Sequence, residues 1–344
     1  MLYPRLRMLL TAGVVLSLAS LAHGGTLYVA NNGLDGPACG PKTTPCRSIT
    51  QGIANAATGD TIIVGPGLYG DLNDDGTPGD SPGEETPSPG CGCMLSVNKG
   101  VTLISSDGAA GTIIDARFVG VNTNVLLIPP GGGTFGKPGH GFTVTNTVRI
   151  NTVGIEIDAS YVVVGGNQVL GGLANAGDGI DTVVNDGEVV LIEGNQVVGW
   201  LQSIVASSSG KTVQKNLVQQ SNVGISASAS SAIVGNVATD NGSGIVAQDS
   251  AEVVGNAAYG NEQGLSVLPG FTGKLERNNL FGNKSHCGLT NGGLSGLVAA
   301  NNYWGAATGP GPDPADDVCN MMSGTTTVTP FATKPFSVKA SIKL

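Results

Sequence analysis

Four carboxyl side chains have the types and spacing of a catalytic acid pair: Glu156, Asp158, Asp178 and Asp181. They lie in segments that alternate apolar and polar residues, a pattern typical of β-strands, whose successive side chains point to opposite faces. If the isoleucines before Glu156 and Asp181 point inward on neighbouring parallel strands, these two carboxyl groups point outward about 5 Å apart. Glycosidases cleave with carboxyl pairs at such distances, and close like charges raise the pKa of one partner. The four residues are therefore candidate catalytic acids; the alternative is an ordinary solvated face.

A second candidate site is the acidic segment DLNDDGTPGD at residues 71–80. Asp71, Asn73 and Asp75, followed by a glycine, match positions 1, 3, 5 and 6 of a calcium-binding loop. The glutamate expected at position 12 is Pro82, and the candidate substitute ligands are Asp80, Glu84 and Glu85. The segment predicts a Ca²⁺ site, with a flexible acidic insertion as the alternative.

Aromatic residues provide a third kind of candidate site. Trp200 stands alone in the loop after Asn195, and a flat ring of this kind binds sugars, so we predict a substrate-binding role for it. Tyr259, Phe281 and Trp304 each follow a recurrent asparagine by three residues, which predicts an aligned stack that serves packing.

The residues that would position these sites repeat along the chain. A pattern of apolar residues followed by asparagine recurs every 20 to 28 residues, with Asn167 as its first instance. Such a period in Val-, Ile- and Gly-rich units predicts a parallel β-solenoid of roughly nine or ten coils. We expect each asparagine to adopt a left-handed turn and to bond the next one in a ladder. These structural residues are Asn195, Asn216, Asn236, Asn256, Asn278 and Asn301.

Composition agrees with an all-β chain and excludes one class of partner. The 344 residues include 55 glycines and carry a net charge of −9. Glycine in this abundance indicates many tight turns, and the acidic balance argues against nucleic-acid binding, which needs clustered Lys and Arg.

The chain divides into four predicted segments. Residues 1–22 resemble a secretory signal peptide, 23–94 form an N-terminal cap with the acidic Gly/Pro loop, 95–305 form the coils, and 306–344 form a C-terminal cap. Ser48 and Gln51 make a capping box, which predicts a short helix that covers the first coil. We therefore expect a secreted, periplasmic or cell-surface protein with no membrane span after signal removal.

Six cysteines are consistent with an oxidising compartment. A zinc site is disfavoured because the sequence has no CxxC motif. Six cysteines allow 15 pairings. The set that we favour is Cys39–Cys46, Cys91–Cys93 and Cys287–Cys319.

Two segments outside the repeats resemble a known fold family. The first segment, residues 27–69, is similar to the opening of secreted right-handed parallel β-helix proteins with the pectin-lyase-like fold; it reads LYVANNGLDGPACG and, further on, TPCRSITQGIANAATGDTIIVGPGLY. The second segment, residues 301–312, is similar to the end of the coils in the same proteins and contains NNYWG and TGPGP. The resemblance implies a right-handed parallel β-helix. Members include polysaccharide lyases, glycoside hydrolases and surface adhesins, so it leaves activity open. The polygalacturonase-like glycosidases of this fold carry Asn-Thr-Asp, Asp-Asp, Gly-His-Gly and Arg-Ile-Lys motifs in that order. Here Gly-His-Gly (139–141) lies upstream instead of downstream of NAGDGID (175–181), which only partly matches the first motif, and Asp-Asp and Arg-Ile-Lys are missing from the coils.

The sequence thus predicts an exported β-helix protein that interacts with extracellular or cell-surface polysaccharide, as a lyase or a glycosidase. The alternative is a non-catalytic adhesion or structural β-helix protein, and the sequence leaves open whether the chain is an enzyme.

Overall fold

The computed structural model describes residues 24–73, 75, 77–86, 90–116, 124–146, 152–172, 177–183, 187, 189–340 and 342. These residues contain one helix and 31 strands. The predicted signal peptide, residues 1–22, lies outside the described residues. Within them, no helix is both long enough and apolar enough to cross a membrane.

The strands are short and are numbered in chain order. The first third of the chain contains β1 (Thr26–Val29), α1 (Ile49–Asn55), β2 (Thr61–Val64), β3 (Gly67–Gly70), β4 (Cys93–Ser96), β5 (Thr102–Ser105), β6 (Thr112–Asp115), β7 (Asn124–Ile128), β8 (Thr134–Phe135) and β9 (Thr143–Asn146). The middle contains β10 (Ile155–Ile157), β11 (Val162–Gly165), β12 (Gln168–Gly171), β13 (Asp178–Thr182), β14 (Val190–Glu193), β15 (Gln196–Val198), β16 (Gln202–Ala206), β17 (Lys211–Gln214), β18 (Leu217–Gln219), β19 (Val223–Ala227), β20 (Ala232–Val234) and β21 (Val237–Thr239). The last part contains β22 (Ser243–Ala247), β23 (Glu252–Val254), β24 (Ala257–Tyr259), β25 (Gln263–Val267), β26 (Lys274–Glu276), β27 (Asn279–Leu280), β28 (Cys287–Asn291), β29 (Leu297–Val298), β30 (Asp317–Asn320) and β31 (Thr326–Thr327).

Three long parallel sheets run the length of the molecule, and each complete coil contributes one strand to each of them. Sheet A has ten strands in the order β1-β2-β5-β8-β11-β14-β17-β20-β23-β26. Sheet B has nine strands, from β3 to β27, and sheet C has ten, from β4 to β30. This arrangement confirms the predicted parallel β-helix and its number of coils. The stacked sheets already include β1 to β3 and extend to β30, so the coils exceed the predicted limits of 95 and 305 at both ends.

The core is a set of inward columns with one apolar residue per coil. On sheet C, Ile155, Ile180 and Ile204 occupy one register position and are fully buried. Each such side chain contributes about 1.5–3 kcal/mol by leaving water, and β-branched residues suit the extended backbone. The alternation in the sequence therefore assigns the intervening residues to the outer surface.

An asparagine ladder fills the corner between sheets A and B. Asn195, Asn216, Asn236, Asn256 and Asn278 are rungs, and each side-chain oxygen accepts hydrogen bonds from the backbone N–H and the amide group of the preceding rung. Each amide group also donates to a backbone carbonyl of the core, for example from Asn236 to Val213 O at 2.8 Å. The buried polar groups of the corner are thereby paired.

The ladder corrects the prediction for Asn301. The last rung is Asn302, whose Oδ1 accepts from Asn278, whereas Asn301 is exposed and has a φ of 58°. The left-handed conformation belongs to the residue before each rung, such as Gly235 or Lys215, and not to the rung itself. Asparagine at a rung is required for its side-chain amide and not for its backbone.

A second ladder, which the sequence analysis missed, lies between sheets B and C. Each of its members follows a rung of the first ladder by five residues, except the last; they are Trp200, Ser221, Asn241, Asn261, Asn283 and Asp316. The 20- and 22-residue spacings of its three asparagines were the available signal.

The N-terminal end of the coils is covered by α1. Ser48 Oγ accepts from Gln51 N at 3.1 Å, and the buried Glu85 carboxyl accepts from the N–H groups of Ile49 and Thr50. The favoured cysteine pairing is confirmed, with disulfides Cys39–Cys46, Cys91–Cys93 and Cys287–Cys319.

Candidate active site on sheet C

Two of the predicted acids are direct neighbours on the outer face of sheet C. Glu156 in β10 and Asp181 in β13 share one register position, flanked by Leu127 and Val205 on the coils to either side. Neighbouring strands lie about 4.8 Å apart, so the two carboxyl groups point outward side by side. We call Glu156, Asp178 and Asp181 the acid cluster.

Asp178 begins β13 and is fixed by the next coil. The backbone and the side chain of Gln202, its register partner, donate hydrogen bonds to its carboxyl group. Its Oδ1 is buried and has no hydrogen-bond partner among the described residues. Burial raises the pKa of Asp178, and the bonds from Gln202 oppose that shift.

Asp181 holds its proton far more tightly than an ordinary aspartate does. Burial, followed by the charges of Asp178 and Glu156, raises the pKa of Asp181 from 3.8 to about 6, against the opposing backbone hydrogen bond of Thr182. Desolvation and nearby like charge both disfavour the ionised form. A carboxyl group of this pKa keeps its proton in mildly acidic solution and can donate it.

Two polar residues that the sequence analysis missed complete the site. Asn124 Nδ2 donates a hydrogen bond to Glu156 Oε2 from the preceding coil, and Gln202 donates to the Asp178 carboxyl group from the following coil. Both begin sheet C strands, as Asp178 does, and that shared position was the signal available in the sequence. The acids are therefore oriented by amides on either side.

Asp158 follows the end of β10, two residues beyond Glu156. The separation along an extended chain is about 7 Å, and its backbone N–H donates to Ile128 O at 2.8 Å. The charges that raise the pKa of Asp181 are those of Asp178 and Glu156. The structure therefore brings three of the four predicted acids together and places Asp158 at the edge.

The predicted sugar-binding role of Trp200 is corrected by its burial. Trp200 is 3% exposed, and its Nε1 donates to Val169 O at 3.3 Å. A Cβ atom added at Gly154, Gly171 or Gly179 would lie at or within 3.1 Å of the indole, so these glycines make room for it inside the corner. Trp200 therefore packs beneath the strand that carries Asp178.

The predicted aromatic stack also differs in its third member. Tyr259 and Phe281 have ring centroids 6.0 Å apart and nearly parallel planes. Phe281 meets Tyr303 edge-on at 5.7 Å, whereas Trp304 is fully buried in the core. The one-residue shift has the same origin as that of Asn302.

The predicted calcium loop is organised by Glu84. Its carboxyl group accepts from the N–H groups of Leu72, Asn73, Gly79 and Ser81 at 3.0–3.4 Å. Burial alone would raise the pKa of Glu84, but these hydrogen bonds lower it below its usual value.

Among the predicted ligands, Asp71 is buried, and Asn73 Nδ2 donates to Asp75 Oδ2 at 2.9 Å. Slight burial and the charges of Asp75 and Glu84 raise the pKa of Asp80. The loop therefore gathers negative charge, although in its described part no three of the carboxylates come within 4.8 Å of one another.

Comparison with known proteins gives a family and a fold. The sequence pattern of a family described as "Periplasmic copper-binding protein (NosD)" matches residues 122–311, which is more than half of the 344 residues. The chain belongs to the NosD family. No curated protein matches this NosD-family chain in sequence.

Two solved structures resemble the NosD-family protein in fold. The crystal structure of pectate lyase Pel9A is 13% identical, with a TM-score of 0.53 and coverage of 92% of this chain and 80% of that one. A rhamnogalacturonan lyase is 12% identical, with a TM-score of 0.53 and coverage of 91% and 90%. These likenesses confirm the pectin-lyase-like β-helix.

Proposed function

We propose that this NosD-family protein works outside the cytoplasm, binds an extracellular or cell-surface polysaccharide along sheet C, and cleaves it at the acid cluster. The observation that carries the proposal is the register pairing of Glu156 with Asp181 on the outer face of sheet C, where burial and neighbouring charges raise the pKa of Asp181 to about 6. An outward pair of carboxyl groups, one of which keeps its proton, is the minimal equipment for glycoside hydrolysis. The periplasmic description of the family and three disulfides support the location.

The geometry favours a retaining hydrolase. Carboxyl groups about 5 Å apart leave no room for a water molecule between the sugar and the second acid, so that acid attacks the sugar directly. In this scheme Asp181 protonates the leaving oxygen, and Glu156, held by Asn124, is the nucleophile. Asp178 keeps the pKa of Asp181 high through its charge.

The copper named in the family's description does not fit the described residues. Copper prefers thiolate, thioether or imidazole ligands, but all six cysteines form disulfides. In the described part of the chain, the group that brings three ligand atoms within 4.8 Å is Asp35, Cys39 and Cys46, and its two cysteines are bonded to each other. Of the two described histidines, His140 Nδ1 lies 3.0 Å from Ser105 O and His286 Nε2 lies 3.0 Å from Asp313 Oδ1, and neither belongs to such a group. We therefore assign no copper step.

The test is cleavage of a panel of soluble polysaccharides at about pH 5 to 6, with new reducing ends and ultraviolet absorbance as separate readouts. We expect reducing ends without the absorbance of an unsaturated product, because hydrolysis leaves no double bond. Asp181→Asn and Glu156→Gln should each lower the rate at least 100-fold. An increase in ultraviolet absorbance would instead show that the protein cleaves by elimination, and would refute hydrolysis.

The matched control is Glu252→Gln, which neutralises an exposed carboxylate on sheet A. It should cleave as the wild type does. A folded protein that binds a polymer without cleaving any would establish the non-catalytic alternative, and one that binds none would refute the proposal.

A further inference from the structure

A column of polar and aromatic side chains on the outer face of sheet B has no part in the proposed cleavage. Val198, Gln219, Thr239 and Tyr259 occupy one register position on four successive coils. Upstream, Gln196 Nε2 donates to Gln219 Oε1 at 3.3 Å. The face therefore changes from amides to aromatic rings at Thr239.

Tyr259 presents an open ring face at that change. One face packs against Phe281, with a centroid distance of 6.0 Å and planes only 16° apart. Because Phe281 is on the following coil, the other face of the Tyr259 ring points towards the preceding coil, where Thr239 is short and 8% exposed. Tyr259 is itself 39% exposed, a large value for an aromatic side chain.

The result is a notch over the single coil that carries Thr239, which lies between the coils of Gln219 and Tyr259. Tyr259 forms one wall, Gln219 forms the other, Thr239 is the floor, and the exposed Asp240 stands at the rim. The walls are two coils apart, or about 10 Å. A sugar ring in contact with both walls needs roughly 4 Å on each side, so one ring fits between them.

The walls are held in place before any ligand arrives. Asn261 of the second ladder donates from its amide to Tyr259 O at 3.2 Å, and Gly260 N donates to Gly282 O at 3.1 Å. Thr239 Oγ1 donates to Asp240 Oδ2 at 3.4 Å, which turns the carboxylate towards the notch. A preorganised site loses little entropy on binding.

We propose that this notch is a second saccharide-binding site, which takes one residue of an uncharged polysaccharide. An aromatic face, an amide, a hydroxyl and a carboxylate provide the stacking surface and the hydrogen-bond partners for a neutral sugar. The carboxylate of Asp240 and the net charge of −9 repel a polyuronate. The notch lies on sheet B and the acid cluster on sheet C, and Thr239 is three coils along the axis from Asp181, so a long polymer chain held here stays attached to the protein that cleaves it. The inference deepens the proposed function but depends only on its binding half.

The experiment is calorimetric titration of the full chain with a soluble neutral glucan, a mannan and a polyuronate. Asp181→Asn serves as the background, so that cleavage does not alter the ligand. We expect Tyr259→Ala to weaken binding of the preferred neutral polymer about tenfold, and Tyr259→Phe to stay within about twofold, because it keeps the ring face. Gln219→Ala should weaken the same polymer without removing the aromatic stack.

Two results would overturn the notch. One is unchanged affinity in both Tyr259→Ala and Gln219→Ala, with melting temperatures that show folded proteins. The other is tighter binding of the polyuronate than of either neutral polymer. Tyr259-dependent binding in a protein that cleaves nothing would refute hydrolysis and leave the notch intact. Cleavage with affinity independent of Tyr259 would refute only the notch.

Discussion

Replacing Asn236 by alanine tests the claim that the first ladder stabilises the β-helix. The Asn236 side chain makes four hydrogen bonds. Its amide donates to Asn256 Oδ1 at 3.0 Å and to Val213 O at 2.8 Å, and its Oδ1 accepts from the backbone and the amide of Asn216 at 2.9 and 3.0 Å. All of these groups are buried in the corner between sheets A and B.

The expected cost follows from those four bonds. A hydrogen bond contributes about 1 kcal/mol net, and an abandoned buried partner adds its desolvation. Val213 O and the Asn216 amide lose a partner at once, so the free energy of unfolding should fall by about 3–5 kcal/mol. Since domains are stable by about 5–15 kcal/mol, this is a large fraction of the total.

The assay is equilibrium unfolding in urea, followed by circular dichroism, with Asn222→Ala as the matched control. Asn222 is an exposed asparagine outside both ladders, and its replacement should change the free energy of unfolding by less than about 0.5 kcal/mol. Asn236→Asp keeps the side-chain shape and should recover stability as pH falls, because a protonated carboxyl group can donate to Asn256. A loss below about 1 kcal/mol in Asn236→Ala would refute the reasoning.

Three further predictions concern charge, metal and cross-links. Because the pKa of Asp181 in the folded protein is raised from 3.8 to about 6, the stability that its proton contributes is complete below pH 3.8 and is lost as pH rises through about 6. The melting temperature of Asp181→Asn should therefore lie above that of the wild type at about pH 7.5 and equal it at about pH 3.5. The reverse order would contradict the raised pKa. We propose that Ca²⁺ binds the acidic loop, so added calcium should raise the melting temperature of the wild type. Neither calcium nor a chelator should change the melting temperature of Asp75→Asn. A wild type whose melting temperature responds to neither would refute the calcium site. Replacing Cys287 and Cys319 by serine opens a loop with a sequence separation of 32 and should lower the free energy of unfolding by about 4 kcal/mol. The same change at Cys39 and Cys46, with a separation of 7, should lower it by about 2.5 kcal/mol. Equal losses in urea unfolding would contradict the loop-entropy explanation.

The sequence by itself determined the coils and the neighbours on one face. A repeat of 20 to 28 residues with alternating apolar residues predicts stacked coils in which Ile155 packs on Ile180, and the side-chain alternation then places Glu156 beside Asp181. These features depend on local periodicity, which a sequence displays directly.

Only the tertiary structure decided what each side chain faces at a corner. Trp200 stands at a turn where the sequence shows no alternation, and its indole packs inside because glycines on two other coils leave room for it. Asn302 replaces Asn301 as a rung because the exit from the coils moves the register by one residue, which no period records. The pKa of Asp181 depends on burial and on charges from a neighbouring coil. Such distances between coils are fixed by packing and not by sequence order, because each corner has to fill its own volume and pair its own polar groups.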